Sequence, residues 1–170
     1  RERLPRWMAD YFAWHARQRE RDETKYLVVR CLEDETCGRL TDRLKPLPFY
    51  VMVANLTRRV LLLHWERPAL EHFVAPTPDG PDWRVEGTGV TLADIRNNSN
   101  FHNGHAPSLS RVVRKLTGEA AGGEHLARAR VLNVLLDIGR SKELKAGTVR
   151  NALALFNQWR GEPGQRGARE

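Results

Sequence analysis

Apolar positions along the chain concentrate in two unbroken runs, Tyr26 to Val29 and Val60 to Leu63. Between them lie a short polar loop and an apolar segment of helical character, so the order reads strand, loop, helix, strand. Unbroken apolar strands, as opposed to alternating ones, belong to parallel pairs buried on both faces. Such a pair needs a crossover connection, expected to be right-handed, and ligands of such sheets bind beyond the carboxyl ends of the strands. The pattern therefore predicts an α/β fold, a parallel sheet flanked by helices, with its chemistry in the loop after Leu32.

The remaining pattern places further elements. Leu4 to Arg21 reads as a helix, with Trp7, Tyr11 and Trp14 on one stripe and Met8, Phe12 and His15 one residue behind. The stripe is expected to pack on the sheet; stacking of sugars or bases on it is the sharper alternative. Lys25 to Leu32 forms the first strand and Val60 to Trp65 the second. Pro46 and Pro48 suit the first turn of a helix running from Phe49 to Arg58. Pro68 to Val74 reads as a short helix turning Leu70, Phe73 and Val74 inward, and Ala75 to Pro81 as a turn cluster. Trp83 to Val85 reads as extended. Thr91 is placed to cap a helix beginning at Leu92. Asn97 to Gly104 is a polar loop, Ser108 to Leu116 a helix, and Leu126 to Ile138 a helix with Val131, Leu132, Leu135 and Ile138 as apolar positions. Thr148 to Trp159 is the last helix. Residues 1–160 are expected to form a single domain, with 1–24 as a leading amphipathic helix. Residues 161–170 carry only Ala168 as an apolar residue and are expected to be a flexible tail.

Composition narrows this picture. A chain of 170 residues with 41% hydrophobic content can bury a core. Lys plus Arg is 28 against 21 for Asp plus Glu, a formal net charge of +7, which suits an anionic partner or simply a solubilising surface. No apolar run approaches the ~20 residues of a membrane span. The chain opens on Arg1 with no secretory signal pattern, and the expectation is that it begins inside a longer polypeptide. Cys31 and Cys37 read either as a disulfide closing a small loop or as two free thiols. Asn55 and Asn97 open matches to the glycosylation pattern, the first inside a predicted helix.

The strongest candidate for chemistry is the loop Cys37-Gly38-Arg39-Leu40-Thr41-Asp42-Arg43-Leu44-Lys45. It leaves a buried strand and enters a helix, whose N-terminal amides favour phosphate. Arg43 has the shape to clamp a phosphate or carboxylate. Asp42 can cap the helix, orient Arg43 or accept from a sugar hydroxyl, and Gly38 lets the backbone approach a ligand. At the end of the second strand, His64 and Glu66 project to the same side and are candidates for ligand contact. His102 and His105 lack a third metal ligand, and neither Asp94 nor Asp137 has a partner that marks a catalytic base. No metal site or cofactor is expected, and no catalytic residue is assigned.

The run Cys-Gly-x-Leu-x-Asp-Arg-Leu-Lys (Cys37 to Lys45), followed by Leu-Thr-x-Arg-Val-Leu-Leu-x-x-Trp (Leu56 to Trp65), then Pro68, Leu70, Glu71, Pro76, Asp82 and Trp83, resembles the opening of the GDP-fucose-dependent fucosyltransferase superfamily. That group includes nodulation and α-1,6-fucosyltransferases and protein O-fucosyltransferase relatives. The likeness covers about Lys25 to Val85. It implies a GT-B glycosyltransferase of two Rossmann-like domains, inverting transfer of fucose from GDP-fucose to a glycan or protein acceptor, and no metal. Gly38, Asp42, Arg43 and His64 would then contact donor or acceptor. The family's His-x-Arg segment for the diphosphate belongs to its second domain and has no counterpart here, so the resemblance implies the N-terminal half of such an enzyme, incomplete or inactive alone. It also implies a secretory-pathway setting if the source is eukaryotic. Arg39 and Thr41 stand where the family loop has glycines, at a cost of about 1 kcal/mol each if those positions are left-handed. Two alternatives are a non-catalytic basic module binding nucleic acid or another anionic partner, and a non-catalytic relative that binds protein.

Overall fold

The computed structural model describes residues 4–78, 80–97 and 124–135. Among these residues three strands, β1 (Tyr26–Cys31), β2 (Val60–Trp65) and β3 (Val131–Leu135), form one sheet in the order β2–β1–β3. Both pairings are parallel: β1 meets β2 from Tyr26↔Val60 to Cys31↔Trp65, and β3 from Tyr26↔Val131 to Arg30↔Leu135. The helices are α1 (Arg6–Gln18), α2 (Leu40–Leu44), α3 (Leu47–Leu56), α4 (Leu92–Arg96) and α5 (Glu124–Arg128), with a 3₁₀ turn at Leu70–His72. This is an α/β architecture, and among the described residues no helix is long and apolar enough to cross a membrane.

The central strand explains the apolar runs. Every residue of β1 is buried, because both faces of the sheet are covered. On one face Leu27, Val29 and Cys31 join Leu61, Leu63, Trp65, Leu132 and Val134 beneath α3, whose residues Phe49 to Ala54 are buried all round. On the other, Tyr26, Val28, Val60 and Leu62 lie under Val90 and Ile95. Thr91 and Asp94 cap α4 reciprocally, as the Thr91 position predicts.

Helix α3 ends on a Schellman turn. Arg58 takes the left-handed position usual for glycine (φ 51°), the Arg59 N–H reaches the Ala54 carbonyl at 2.9 Å, and the Arg58 N–H reaches Asn55 at 3.3 Å. The guanidinium of Arg58 lies over the Trp14 ring, 5.9 Å from its centroid. This turn delivers Arg59 into the interior. Its guanidinium donates to the carbonyls of Tyr26 (3.2 Å), Leu126 (2.6 Å), Ala127 (3.3 Å) and Ala129 (2.8 Å), joining the starts of β1 and β3. Burial holds its pKa down to about 10, so it stays charged at neutral pH.

Helix α1 covers the outer edge of β2, which would otherwise leave peptide groups unpaired. The Tyr11 hydroxyl donates to the Arg59 carbonyl (3.1 Å) and accepts from the Leu61 N–H (3.2 Å). His15 Nε2 meets the Leu61 carbonyl at 2.9 Å, which requires the Nε2–H tautomer, and the Leu63 N–H reaches the Trp83 carbonyl at 2.9 Å. The aromatic stripe thus serves the core. At the end of α1, the buried Arg19 draws in the Asp82–Glu86 loop through the carbonyls of Asp82 (3.2 Å), Arg84 (3.0 Å) and Glu86.

Three expectations need correction. Leu126 to Ile138 is not one helix: α5 ends at Arg128 and the chain turns into β3. A short apolar run has the same appearance in a buried strand as on a helix, and here the far edge of β1 decides by pairing with it. Asn133 then lies under α4, donating to the carbonyls of Asp94 (2.7 Å) and Asn97 (2.9 Å). Pro68 to Val74 forms only a 3₁₀ turn, so Leu70 is buried while Phe73 and Val74 are 49% and 40% exposed. The helix expected from Phe49 to Arg58 is α3, set two residues earlier with Pro46 and Pro48 at its start, and the loop before it holds a further short helix, α2. The predicted helices Ser108 to Leu116 and Thr148 to Trp159, the pair His102 and His105, Asp137 and the tail lie outside the described residues.

Removing the Tyr11 hydroxyl in Tyr11→Phe leaves a buried N–H and a buried carbonyl unpaired. The expected loss is about 2 kcal/mol, read as a lower urea midpoint at unchanged slope. His15 is wholly buried, and burial pushes its pKa below the ordinary 6.5, partly opposed by the Leu61 carbonyl. The unfolded chain therefore binds the proton more readily. His15 contributes its full stability above pH 6.5 and loses it as pH falls below that value toward the folded-state pKa. Melting temperature should drop as pH falls below 6.5 in the native chain and fall less in His15→Gln. Losses from Glu66, Asp82 and Asp94, whose pKa values are held down, come at lower pH.

Candidate functional site

The loop after β1 is fixed at its start by a buried ion pair. Arg30 donates to Glu35 Oε1 through Nε (3.1 Å) and Nη2 (2.7 Å), and its Nη1 reaches the Ile95 carbonyl at 2.6 Å. The other oxygen of Glu35 accepts the Leu32 N–H at 2.8 Å. On the opposite face the last residue of β1 is joined covalently to the loop, since Cys31 and Cys37 form a disulfide. Of the two readings open for these cysteines, the structure takes the bridge.

Gly38 follows at once with φ 70°, a left-handed conformation that glycine adopts without a Cβ penalty. Arg39 is extended at φ −81°, and Thr41 lies inside α2, so neither residue carries the backbone cost considered above for its glycine replacement. The Asp42 carboxylate accepts the Arg39 N–H at 3.3 Å and stands 3.8 Å from Lys45 Nζ. Of its three anticipated roles, the observed one is capping.

Arg43 is turned inward, only 7% exposed. Its Nε donates to the Gly38 carbonyl at 3.1 Å and its Nη2 to the Arg67 carbonyl at 2.9 Å. The guanidinium lies over the Trp65 ring, 5.6 Å from the centroid. Two of its three nitrogens therefore join the loop after β1 to the loop after β2, and the fork is not free for a two-point clamp. Its Nη1 is buried without a hydrogen-bond partner, and so is Trp65 Nε1.

His64 lies on the other face of the sheet, because alternate residues of a strand point oppositely and Trp65 is on the α3 side. Its Nε2 stands 3.7 Å from Glu66 Oε1, so the two share a side as expected. Glu66 also accepts the Glu33 N–H (2.8 Å) and Arg96 Nη2 (2.9 Å). The Glu33 amide, then Arg96 and His64, hold its carboxyl below the ordinary range. The fold thus brings Gly38, Asp42 and Arg43 together, and separates His64 from them by the thickness of the sheet at the same rim.

Residues that the sequence pattern left unmarked are Arg30, Glu35 and Arg67, and Trp65 was marked only as part of the resemblance. An arginine inside an otherwise apolar strand was the one available signal, since such a group must find an anion or several carbonyls. Among the described residues no group of three His, Cys, Asp or Glu side chains is placed to hold a metal. The class defined by fold and site is a parallel α/β domain with a disulfide-pinned, arginine-bearing loop at the carboxyl rim of its sheet. Comparison with family models, curated proteins and solved structures gives no match.

Replacing both cysteines by alanine reopens a six-residue separation. The expected cost is about 2 kcal/mol in urea unfolding. Amide exchange should accelerate from Glu33 to Gly38 while the β1 interior stays protected.

Proposed function

We propose that the chain is the N-terminal, Rossmann-like half of a GT-B enzyme of the fucosyltransferase type, one that transfers fucose from GDP-fucose to a glycan or protein acceptor. The observation that carries this reading is the placement of the Cys37–Lys45 loop. It leaves the carboxyl end of the central strand of a parallel sheet, at the rim where α/β folds receive nucleotides. The residues of the resemblance support it as a set: Cys37 is bridged, Gly38 is left-handed, Arg43 and Trp65 are stacked, and Arg59 fastens the far end of the same strands. In this proposal Gly38 lets the backbone approach the donor, Asp42 holds the turn, Arg43 contacts the donor, and His64 meets ligand from the other side of the rim. A second GT-B domain would complete the cleft. A disulfide is also in keeping with an oxidising, secretory-type compartment.

The test is thermal unfolding of the chain with GDP-fucose or GDP. A ligand at a hundred times its dissociation constant stabilises by about 2.7 kcal/mol, so a rise of several degrees is expected. No rise with either nucleotide, together with steeply salt-dependent affinity for random-sequence DNA, replaces this reading with the basic-module one.

A further inference from the structure

We infer that Arg43 and Trp65 form an oxyanion site, able to take the oxygen of a group such as phosphate, just beneath the surface of the carboxyl rim. The inference begins with the four arginines that are buried among the described residues: Arg19, Arg30, Arg43 and Arg59. A buried cation needs a counter-charge or a full set of acceptors. Arg19 has carboxylates, Glu20 at 3.3 Å and Asp82 at 3.6 Å. Arg30 has Glu35 at 2.7 Å. Arg59 has four carbonyls distributed over both its terminal nitrogens, and only its Nε is unpaired. Arg43 has two carbonyls, no carboxylate, and a terminal nitrogen with no acceptor at all.

The ring on which Arg43 stacks has the same deficiency, because the indole N–H of Trp65 is buried and unpaired. Buried donors in folded proteins are almost always satisfied, so two on one stacked pair call for a shared acceptor. Its chemistry follows from the surroundings. The guanidinium charge is uncompensated, Arg39 and Lys45 flank the loop, and Asp42 is already engaged with the Arg39 N–H. An oxygen that carries negative charge meets that demand, and water supplies only part of it. Access is short, since Gly38 and Arg67, whose carbonyls hold the guanidinium, are themselves exposed. The inference goes beyond the nucleotide-sugar reading and does not depend on it.

The probe is inorganic phosphate, titrated against chloride at matched ionic strength, with the indole N–H signals of the five tryptophans followed by NMR. The Trp65 signal, assigned through Trp65→Phe, is expected to shift saturably with phosphate while the other four stay in place. Arg43→Lys keeps the charge and loses the two carbonyl bonds that hold the free nitrogen in place, and should weaken binding about tenfold. Trp65→Phe keeps the stacked ring and removes only the donor, and should weaken binding several-fold as read from the Gly38 amide, which covers the case in which Arg43→Lys unfolds. A Trp65 signal unmoved by phosphate, an equal response to chloride, or an affinity unchanged in Trp65→Phe overturns the site. A nucleotide-induced thermal shift with a silent Trp65 signal overturns this inference alone. A phosphate response without a nucleotide shift upholds it and sinks the donor assignment.

Discussion

One buried guanidinium organises the amino end of the sheet. Arg59 is a cation placed where water does not reach, and backbone carbonyls take the place of water around it. Those carbonyls belong to β1, 33 residues away from Arg59, and to the stretch from α5 into β3, 67 to 70 residues away. Its own peptide groups extend the reach, since the N–H closes the end of α3 and the carbonyl receives Tyr11 of α1. Four elements are thus referred to one residue. A lysine cannot reproduce this, because its three donors lie on one nitrogen and do not span a planar fork.

The carboxyl end of the sheet is built differently. There the ties are short-range: Glu35 folds back on Arg30, and Cys37 folds back on Cys31. Together they hold the first turn of the loop to both faces of β1. Arg43 then spans to the loop after β2. Both arginines leave one nitrogen unpaired, but the amino end gives its arginine four carbonyls, whereas the carboxyl end gives its arginine two and adds an unpaired indole. In a parallel sheet the loops at the carboxyl rim are the ones free to serve a ligand, while those at the other rim serve stability. The contrast between Arg59 and Arg43 follows that division.

The two faces of the rim are also chemically distinct. The α3 face carries Arg43 over Trp65, cationic and rich in donors. The α4 face carries Glu66 between His64 and Arg96, where an anion is already present and is held ionised. A single ligand seated on the first face reaches His64 only by passing over the edge of the sheet. Grouping His64 with Gly38, Asp42 and Arg43 in one site therefore depends on a ligand long enough to cross the rim.

Much of this fold was readable along the chain, because burial on both faces leaves an unmistakable trace in β1 and β2: Val60 to Trp65 was bounded correctly and the parallel pairing followed from the absence of alternation. The Thr91 cap was equally local. By contrast, β3 was hidden, since Val131 to Leu135 becomes a strand only by meeting the far edge of β1. The loop residues Gly38, Asp42 and Arg43 were legible as a cluster because they are adjacent in sequence. The face on which His64 lies, the engagement of two Arg43 nitrogens, and the bridging of Cys31 to Cys37 were not, for each depends on a partner brought near by the fold. Sequence by itself determined which segments must leave water. Only tertiary structure decided which polar groups travel inward with them and which of those find partners, because a hydrogen bond is directional and short, whereas hydrophobic burial is neither.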